Sequence, residues 1–298
     1  MNLKKRVKRI LGLKESDLLS FVPIKRKLQL KYGKFFHKKK YTTKEIIDVL
    51  RSLGINEGSN VFVHSSWDFF YNYLGTEDEL VDAILELLGP QGTLAMPAMP
   101  LLKKNKVFNV KKTVTKAGML AEAFRIRNGV MRSCNVVHSV CAYGPLAEEL
   151  VSTHHQSVIR FDEKSPFYKT ILHDFKIVSM GLEPYFIGTI IHCVEATMWK
   201  EMPYFKEIYD FDHLVERKYI DYDGIEKSYF EATELKHVRS DHYRNNIILK
   251  LFFEKKHRGK RKLSNLCITF VDAKYTYKRL CELARKGIVL YIIPRFHK

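Results

Sequence analysis

The chain has no G-x-G-x-x-G turn and no G-x-x-x-x-G-K-[ST] loop, so the backbone phosphate cradles of dinucleotide and ATP sites are missing. It has no G-x-S-x-G either, which argues against a hydrolase built on a nucleophile elbow. Its five cysteines (Cys134, Cys141, Cys193, Cys267, Cys281) are an odd, scattered set without a C-x-x-C pair. That speaks against a disulfide framework or a cysteine-based zinc site and suits reduced thiols in a cytoplasm. His154, His155 and His173 stand apart from carboxylate or cysteine partners at metal spacing, so they read as surface histidines and no metal is expected. No apolar run approaches the roughly 18 residues that cross a bilayer, and the basic N-terminus has no apolar core of a secretory signal. A cytoplasmic protein is the expectation.

Acidic residues are scarce in two places. Residues 1–40 hold 14 Lys/Arg against 2 Asp/Glu, and residues 250–262 hold 7 Lys/Arg against 1 Glu. These segments carry the net charge of +18, leaving the rest of the chain about neutral. Basicity is therefore local. In residues 1–40, Leu3, Val7, Ile10 and Leu11 recur at helical spacing among lysines and arginines, followed by a basic stretch with interleaved aromatics. Such an appendage suits an anionic membrane surface, so a cytoplasmic enzyme peripheral at the inner face of the membrane is one expectation. A polyphosphate or nucleic acid would attract the same charge, but nucleic acid is not the expected partner.

What is present reads as one domain over residues 41–298. Capping boxes at Thr42/Glu45 and Thr76/Glu79 precede apolar stripes ended by Gly54 and Gly89-Pro90. Between and after them, residues 60–64 and 92–96 are short apolar strands, so a βαβ unit and a largely parallel or mixed sheet with helices on both faces are expected. This is an α/β, three-layer αβα sandwich. Helices are expected over residues 116–125, after Pro145 and after Ser165-Pro166, and strands over residues 138–143 and 176–180. Beyond Lys200 the pattern is less regular. A hairpin around Asp223-Gly224 is predicted there, then a helix over residues 272–286 and a strand-like tail over residues 288–293.

One helix opening near Thr189 carries His192 and Glu195, three residues apart and so neighbours on one face. A carboxylate there can fix the ring's tautomer and stabilise the imidazolium when the ring accepts a proton. Taken alone, this pair also fits an ordinary half-buried contact. The His64-Ser65-Ser66 turn lies at the carboxyl end of a strand, where open α/β sheets bind ligands.

Several blocks together carry a resemblance. They are Val61-Phe62-Val63-His64-Ser65-Ser66, Gly89-Pro90-Gln91-Gly92-Thr93-Leu94-Ala95-Met96-Pro97, Gly118-Met119-Leu120-Ala121-Glu122-Ala123-Phe124-Arg125 and Arg132-Ser133. Ser139-Val140-Cys141-Ala142-Tyr143-Gly144, Ser165-Pro166 and Thr189-Ile190-Ile191-His192-Cys193-Val194-Glu195 continue the order. In this order they resemble the aminoglycoside 3-N-acetyltransferase family, over about residues 42–285. The resemblance implies transfer of an acetyl group from acetyl-CoA, used as co-substrate, to an aminosugar amine, without a metal. It implies His192 as catalytic imidazole and Glu195 as its orienting carboxylate. A CoA site is implied near His64, Ser65, Ser66, Arg132 and Ser133. Thr189 and Asp162 are candidates for substrate contact, and Asp162 or Asp174 for a third member of a relay. Cys193 points away from His192 on the helix, which favours direct attack over an acyl-cysteine.

The chain departs from the family pattern at Cys134-Asn135-Val136, where His-Pro often follows the Arg-Ser, and at Leu263-Ser264-Asn265. Both departures bear on the acceptor pocket. Aminoglycosides are polycations and two basic patches attract them poorly. The charge therefore favours a nucleotide- or lipid-linked aminosugar of surface-polysaccharide synthesis. Aminoglycoside modification in antibiotic resistance is one alternative. A non-catalytic domain that binds nucleic acid or an anionic membrane is another.

Overall fold

The structure, a computed structural model, describes residues 21–103, 106–182, 187–235 and 250–289. The basic helix expected around residues 3–11 and most of the tail over residues 288–293 lie outside them.

Helix α1 (Phe21–Phe36) precedes α2 (Thr43–Ser52), whose capping box forms as the spacing predicts, with Thr42 and Glu45 exchanging backbone hydrogen bonds. Strand β1 (Asn60–Ser65) leads through a 3-10 turn to α3 (Glu77–Leu88), entered by the second capping box of Thr76 and Glu79. Strands β2 (Thr93–Pro97) and β3 (Phe108–Asn109) follow, then α4 (Met119–Arg125). This helix starts later than the sequence predicts. Lys116 is still held to Met99 O, and Gly118 at φ 114° takes a conformation that other residues disfavour.

Strands β4 (Met131–Arg132) and β5 (Val140–Tyr143), helices α5 (Ala147–Ser152) and α6 (Pro166–Leu172), and strand β6 (Lys176–Met180) complete the first part. Then come α7 (Ile190–Met198), α8 (Pro203–Lys206), β7 (Tyr209–Ile220), β8 (Glu226–Glu234), β9 (Arg258–Leu263), β10 (Leu266–Asp272) and α9 (Ala273–Arg285).

Seven strands form one sheet in the order β4-β5-β2-β1-β6-β10-β9. Only β1–β2 and β1–β6 pair parallel; the outer pairings are antiparallel, so the sheet is mixed. Register sorts the side chains cleanly. Phe62, Ala95, Ile177 and Val271 fall on the face covered by α5, α6, α7 and α9. Val61, Val63, Leu94, Val178 and Phe270 fall on the face covered by α2, α3 and α4. The period of two in a strand thus builds two cores from one sheet, and helices on both faces follow.

Residues 209–234, loosely patterned in sequence, form a long antiparallel hairpin that joins β3 in a second sheet. Its turn spans residues 221–225, closed by Asp221 N to Ile225 O, and is longer than the two-residue turn predicted at Asp223-Gly224. The hairpin is tied to the main body through Glu231, whose side chain is fully buried. Its carboxylate accepts from Arg217 Nε at 2.8 Å, Arg160 Nη2 at 3.2 Å and Asn135 Nδ2 at 3.1 Å. Ala232 N also donates to Val158 O, so β8 braces the loop that carries Phe161.

Replacing Glu231 by Ala removes the carboxylate that two guanidinium groups share, and leaves the buried Arg160 with the more distant Glu234 at 3.9 Å. Breaking a buried pair in this way costs about 3–5 kcal/mol. Urea denaturation of Glu231→Ala should show that loss, and an unchanged midpoint would refute the role assigned to the network.

Candidate functional site

A cleft of about 260 Å³ opens where the carboxyl ends of β1 and β2 meet the start of α7. Its lining includes His64, Pro97, Met99, His138, Phe161, Phe167, Thr189 and His192. The topology explains the gathering. His64 lies on β1 two residues after Phe62, on the face that α7 covers. Strand β5 runs antiparallel to β2, so its start, at His138, returns to the carboxyl end of β2. The segment between α5 and α6 supplies Phe161, whose ring lies 4.8 Å from His192 and 5.0 Å from His138.

His192 Nδ1 is 3.1 Å from Glu195 Oε2, within the first turns of α7. The Glu195 side chain is 1% exposed against 19% for His192, so the carboxylate is sealed behind the ring. A carboxylate only accepts, so Nδ1 carries the hydrogen of this bond and Nε2 is left with a free lone pair. His64 is held neutral: burial pushes its pKa down to about 3. His138 is pushed well below the usual histidine range, first by burial and then by the charges of Arg160 and His192. Its Nδ1 has no hydrogen-bond partner among the described residues.

The sequence-predicted residues are only partly brought together. His64, Thr189 and His192 line the cleft, with Glu195 behind. Thr189 stands at the N-terminal boundary of α7 without a side-chain cap bond. Ser65 and Ser66 sit at the end of β1 beside His64, and Ser66 N donates to Met180 O.

Arg132 and Ser133 are occupied elsewhere. The Arg132 guanidinium is buried against the Phe108 ring and donates to the carbonyls of Ala98, Val110 and Thr113 and to Ser139 Oγ. Ser133 Oγ meets Val140 N and His154 Nδ1. Asp162 spends its carboxylate on Ser157 Oγ and the amides of Val158, Ile159 and Lys164, so it shapes the Phe161 loop from within. Asp174 pairs with Lys274. Neither aspartate bonds to His192 or Glu195 among the described residues.

His154 corrects the surface reading: it is fully buried, bonded to Ser133 Oγ and Arg160 O. Cys193 is buried in the core, and burial raises its thiol pKa well above the usual range. A protonated thiol there is no nucleophile. Sequence reasoning missed His138, Phe161 and Phe167. Only the antiparallel return of β5 relates residue 138 to residue 192, and nothing in local spacing announces it.

The model of the aminoglycoside 3-N-acetyltransferase family matches residues 62–266. Among solved structures, aminoglycoside acetyltransferase AAC(3)-IVa in its apo form is similar at 21% identity and a TM-score of 0.65, over 87% of this chain and 94% of that one. AAC-IIIb in a binary complex with CoASH is similar at 18% identity and a TM-score of 0.66, over 84% and 98%. AAC-VIa bound to sisomicin is similar at 19% identity and a TM-score of 0.65, over 84% and 99%.

The buried histidines make the fold acid-sensitive. His64 and His154 are each lowered to about 3 in the folded chain, against about 6.5 when unfolded. Between those values the unfolded chain binds the extra protons, so stability is complete above pH about 6.5 and falls as the pH drops toward 3. At pH 5 each histidine costs roughly 2 kcal/mol. Urea unfolding at pH 5 should show a loss of about 4 kcal/mol relative to pH 7.5 from this pair, and His154→Gln should remove about half of it. A stability independent of pH over this range would overturn the neutral, buried state of both rings.

Proposed function

The chain belongs to the aminoglycoside 3-N-acetyltransferase family, and on that premise we propose that it transfers the acetyl group of acetyl-CoA to an amine of an aminoglycoside-type aminosugar, with His192 as general base. The observation that carries the proposal is the His192–Glu195 pair, with the ring on the cleft and the carboxylate sealed behind it.

An aminosugar nitrogen is an ammonium near neutral pH and cannot attack until it loses a proton. His192 Nε2, left with its lone pair by the Nδ1–Glu195 bond, accepts that proton. Glu195 then faces an imidazolium at 3.1 Å and stabilises it in surroundings drier than bulk water. The freed amine attacks the thioester carbonyl of bound acetyl-CoA, a C–N bond replaces the C–S bond, and CoA leaves as a thiol with the proton that His192 took up. The cleft fits its narrow pantetheine arm in kind: Pro97, Met99, Phe161, Phe167 and Ile191 give apolar walls, and His64 and Thr189 add polar points. Ser65 and Ser66, at the end of β1, are placed to meet the amides of that arm. His138, neutral and facing the cleft, can hydrogen-bond the acceptor without adding charge. Thr189 stands beside His192 for the same task.

The charge of the whole chain favours an anionic, nucleotide- or lipid-linked acceptor. The family, and the sisomicin complex of AAC-VIa, support an aminoglycoside acceptor instead. That reading is the one preferred here. A binding module without catalysis is disfavoured by the intact base-and-carboxylate pair.

His192→Ala should lower kcat by at least about a hundred-fold while leaving CoA binding and the fold intact. Full activity in that variant would sink the assignment. Glu195→Gln should lower kcat less, since the amide oxygen can still accept from Nδ1 but brings no negative charge to the imidazolium.

The acceptor is tested separately. With thiol release from acetyl-CoA as readout, sisomicin should exceed nucleotide-linked aminosugars by about ten-fold or more in kcat/KM, a gap of about 1.4 kcal/mol in transition-state binding. The reverse order would restore the polysaccharide-precursor reading while leaving the base untouched.

A further inference from the structure

The two basic segments, more than two hundred residues apart in sequence, meet on the folded surface. Asn72 joins them: its Nδ2 donates to His37 O at 2.9 Å and to Ser264 Oγ at 3.4 Å. His37 follows the end of α1, and Ser264 is the turn between β9 and β10. Helix α1 is seated closely on the body here, since a Cβ built at Gly33 would stand 2.7 Å from the Tyr71 hydroxyl. Lys34 Nζ lies 5.6 Å from the Tyr71 ring centre. Strand β9 is the free edge of the seven-stranded sheet, and Lys260, Arg261 and Lys262 are exposed along it.

The outward part of α1 is not merely charged. Tyr32, Phe35 and Phe36, at helical spacing i, i+3 and i+4, are 52%, 70% and 72% exposed. Lys31, Lys34 and Lys38 flank them, with Lys38 Nζ 5.5 Å from the Phe35 ring centre. Water is a poor partner for two bare phenyl rings set edge to face 5.3 Å apart on a convex helix. Aromatics interleaved with lysines on a helix laid along the surface match the acyl boundary and headgroups of a bilayer. Stacking with nucleic-acid bases would ask for a basic groove that tracks the strand, whereas these rings stand exposed on one helix.

We propose that α1 and the β9 edge form one surface that docks this enzyme on a bilayer containing anionic phospholipid. The rings of Phe35 and Phe36 enter the interface, and Lys31, Lys34 and Lys38 meet the phosphates together with Lys260 and Lys262, which share one face of β9. The β9–β10 turn also touches the segment that leaves β1, through Asn265 Nδ2 to Phe69 O. The docking surface thus borders the end of the sheet that bears the cleft. The proposal does not depend on which aminosugar is acetylated.

The test uses the full chain and cosedimentation with phosphatidylcholine vesicles, with and without phosphatidylglycerol. Partitioning should rise about ten-fold or more when the anionic lipid is present and fall steeply with added salt. Phe35→Ser with Phe36→Ser, and separately Lys260→Glu with Lys262→Glu, should each cut vesicle binding about ten-fold. Both variants should keep the melting temperature and the rate of acetyl transfer to a soluble acceptor. Three results would overturn the proposal: no vesicle binding, equal binding to neutral vesicles, or full binding by both variants. Displacement of the vesicles by single-stranded RNA at matched phosphate would also overturn it, in favour of a nucleic-acid surface. Loss of acetyl transfer in His192→Ala leaves the vesicle result unchanged, so the two readings fail independently.

Discussion

A carboxylate with almost no access to water must share its charge with something, and Glu195 shares it with the His192 ring at 3.1 Å. The bond makes the site asymmetric. It assigns the hydrogen to Nδ1 and leaves Nε2 as acceptor. The same bond constrains the backbone: both residues must lie in one short helix whose other faces are buried, with Cys193, Val194 and Ala196 packed into the core. Helix α7 is consequently a well-packed mount for the His192 ring.

The remaining architecture brings reactants to that mount. Parallel pairing at the centre of the sheet aligns the carboxyl ends of β1, β2 and β6. The antiparallel flank then folds β5 back so that His138 closes the far wall. The Glu231 network and Asp162 fix the loop of Phe161 from opposite sides, the first by charge and the second by capping amides. Residues distant from any chemistry thereby set the position of the ring that leans on His192.

Local rules made much of this legible. Capping boxes located α2 and α3 because their hydrogen bonds lie within four residues of chain. The His-x-x-Glu spacing gave a hydrogen-bonded pair because three residues is nearly one helical turn. What could not be read was long-range. Arg132 looks like a ligand-binding arginine in sequence, yet its guanidinium is consumed by carbonyls from residues 98, 110 and 113, which only the fold brings near. His154 looks exposed because no partner is nearby in sequence, and its true partners are Ser133 Oγ and a carbonyl six residues on. Asp162 turned inward because a bend with several free amides outcompetes a distant substrate for one carboxylate.

The charge of the chain posed the hardest question, since a basic protein repels a polycationic acceptor. The fold separates the two demands. Basic residues collect on α1 and the β9 edge, while the cleft walls are apolar or carry imidazoles that burial keeps neutral, as at His64 and His138. Were those rings imidazolium, two positive charges would face every incoming ammonium. Held neutral, they can hydrogen-bond an amine or hydroxyl, and the Glu195 carboxylate lies behind the His192 ring. Salt screens the exposed basic surface far more than it screens the buried carboxylate behind His192. Short-range chemistry in the cleft therefore weighs more in what is bound than the exposed outer charge does.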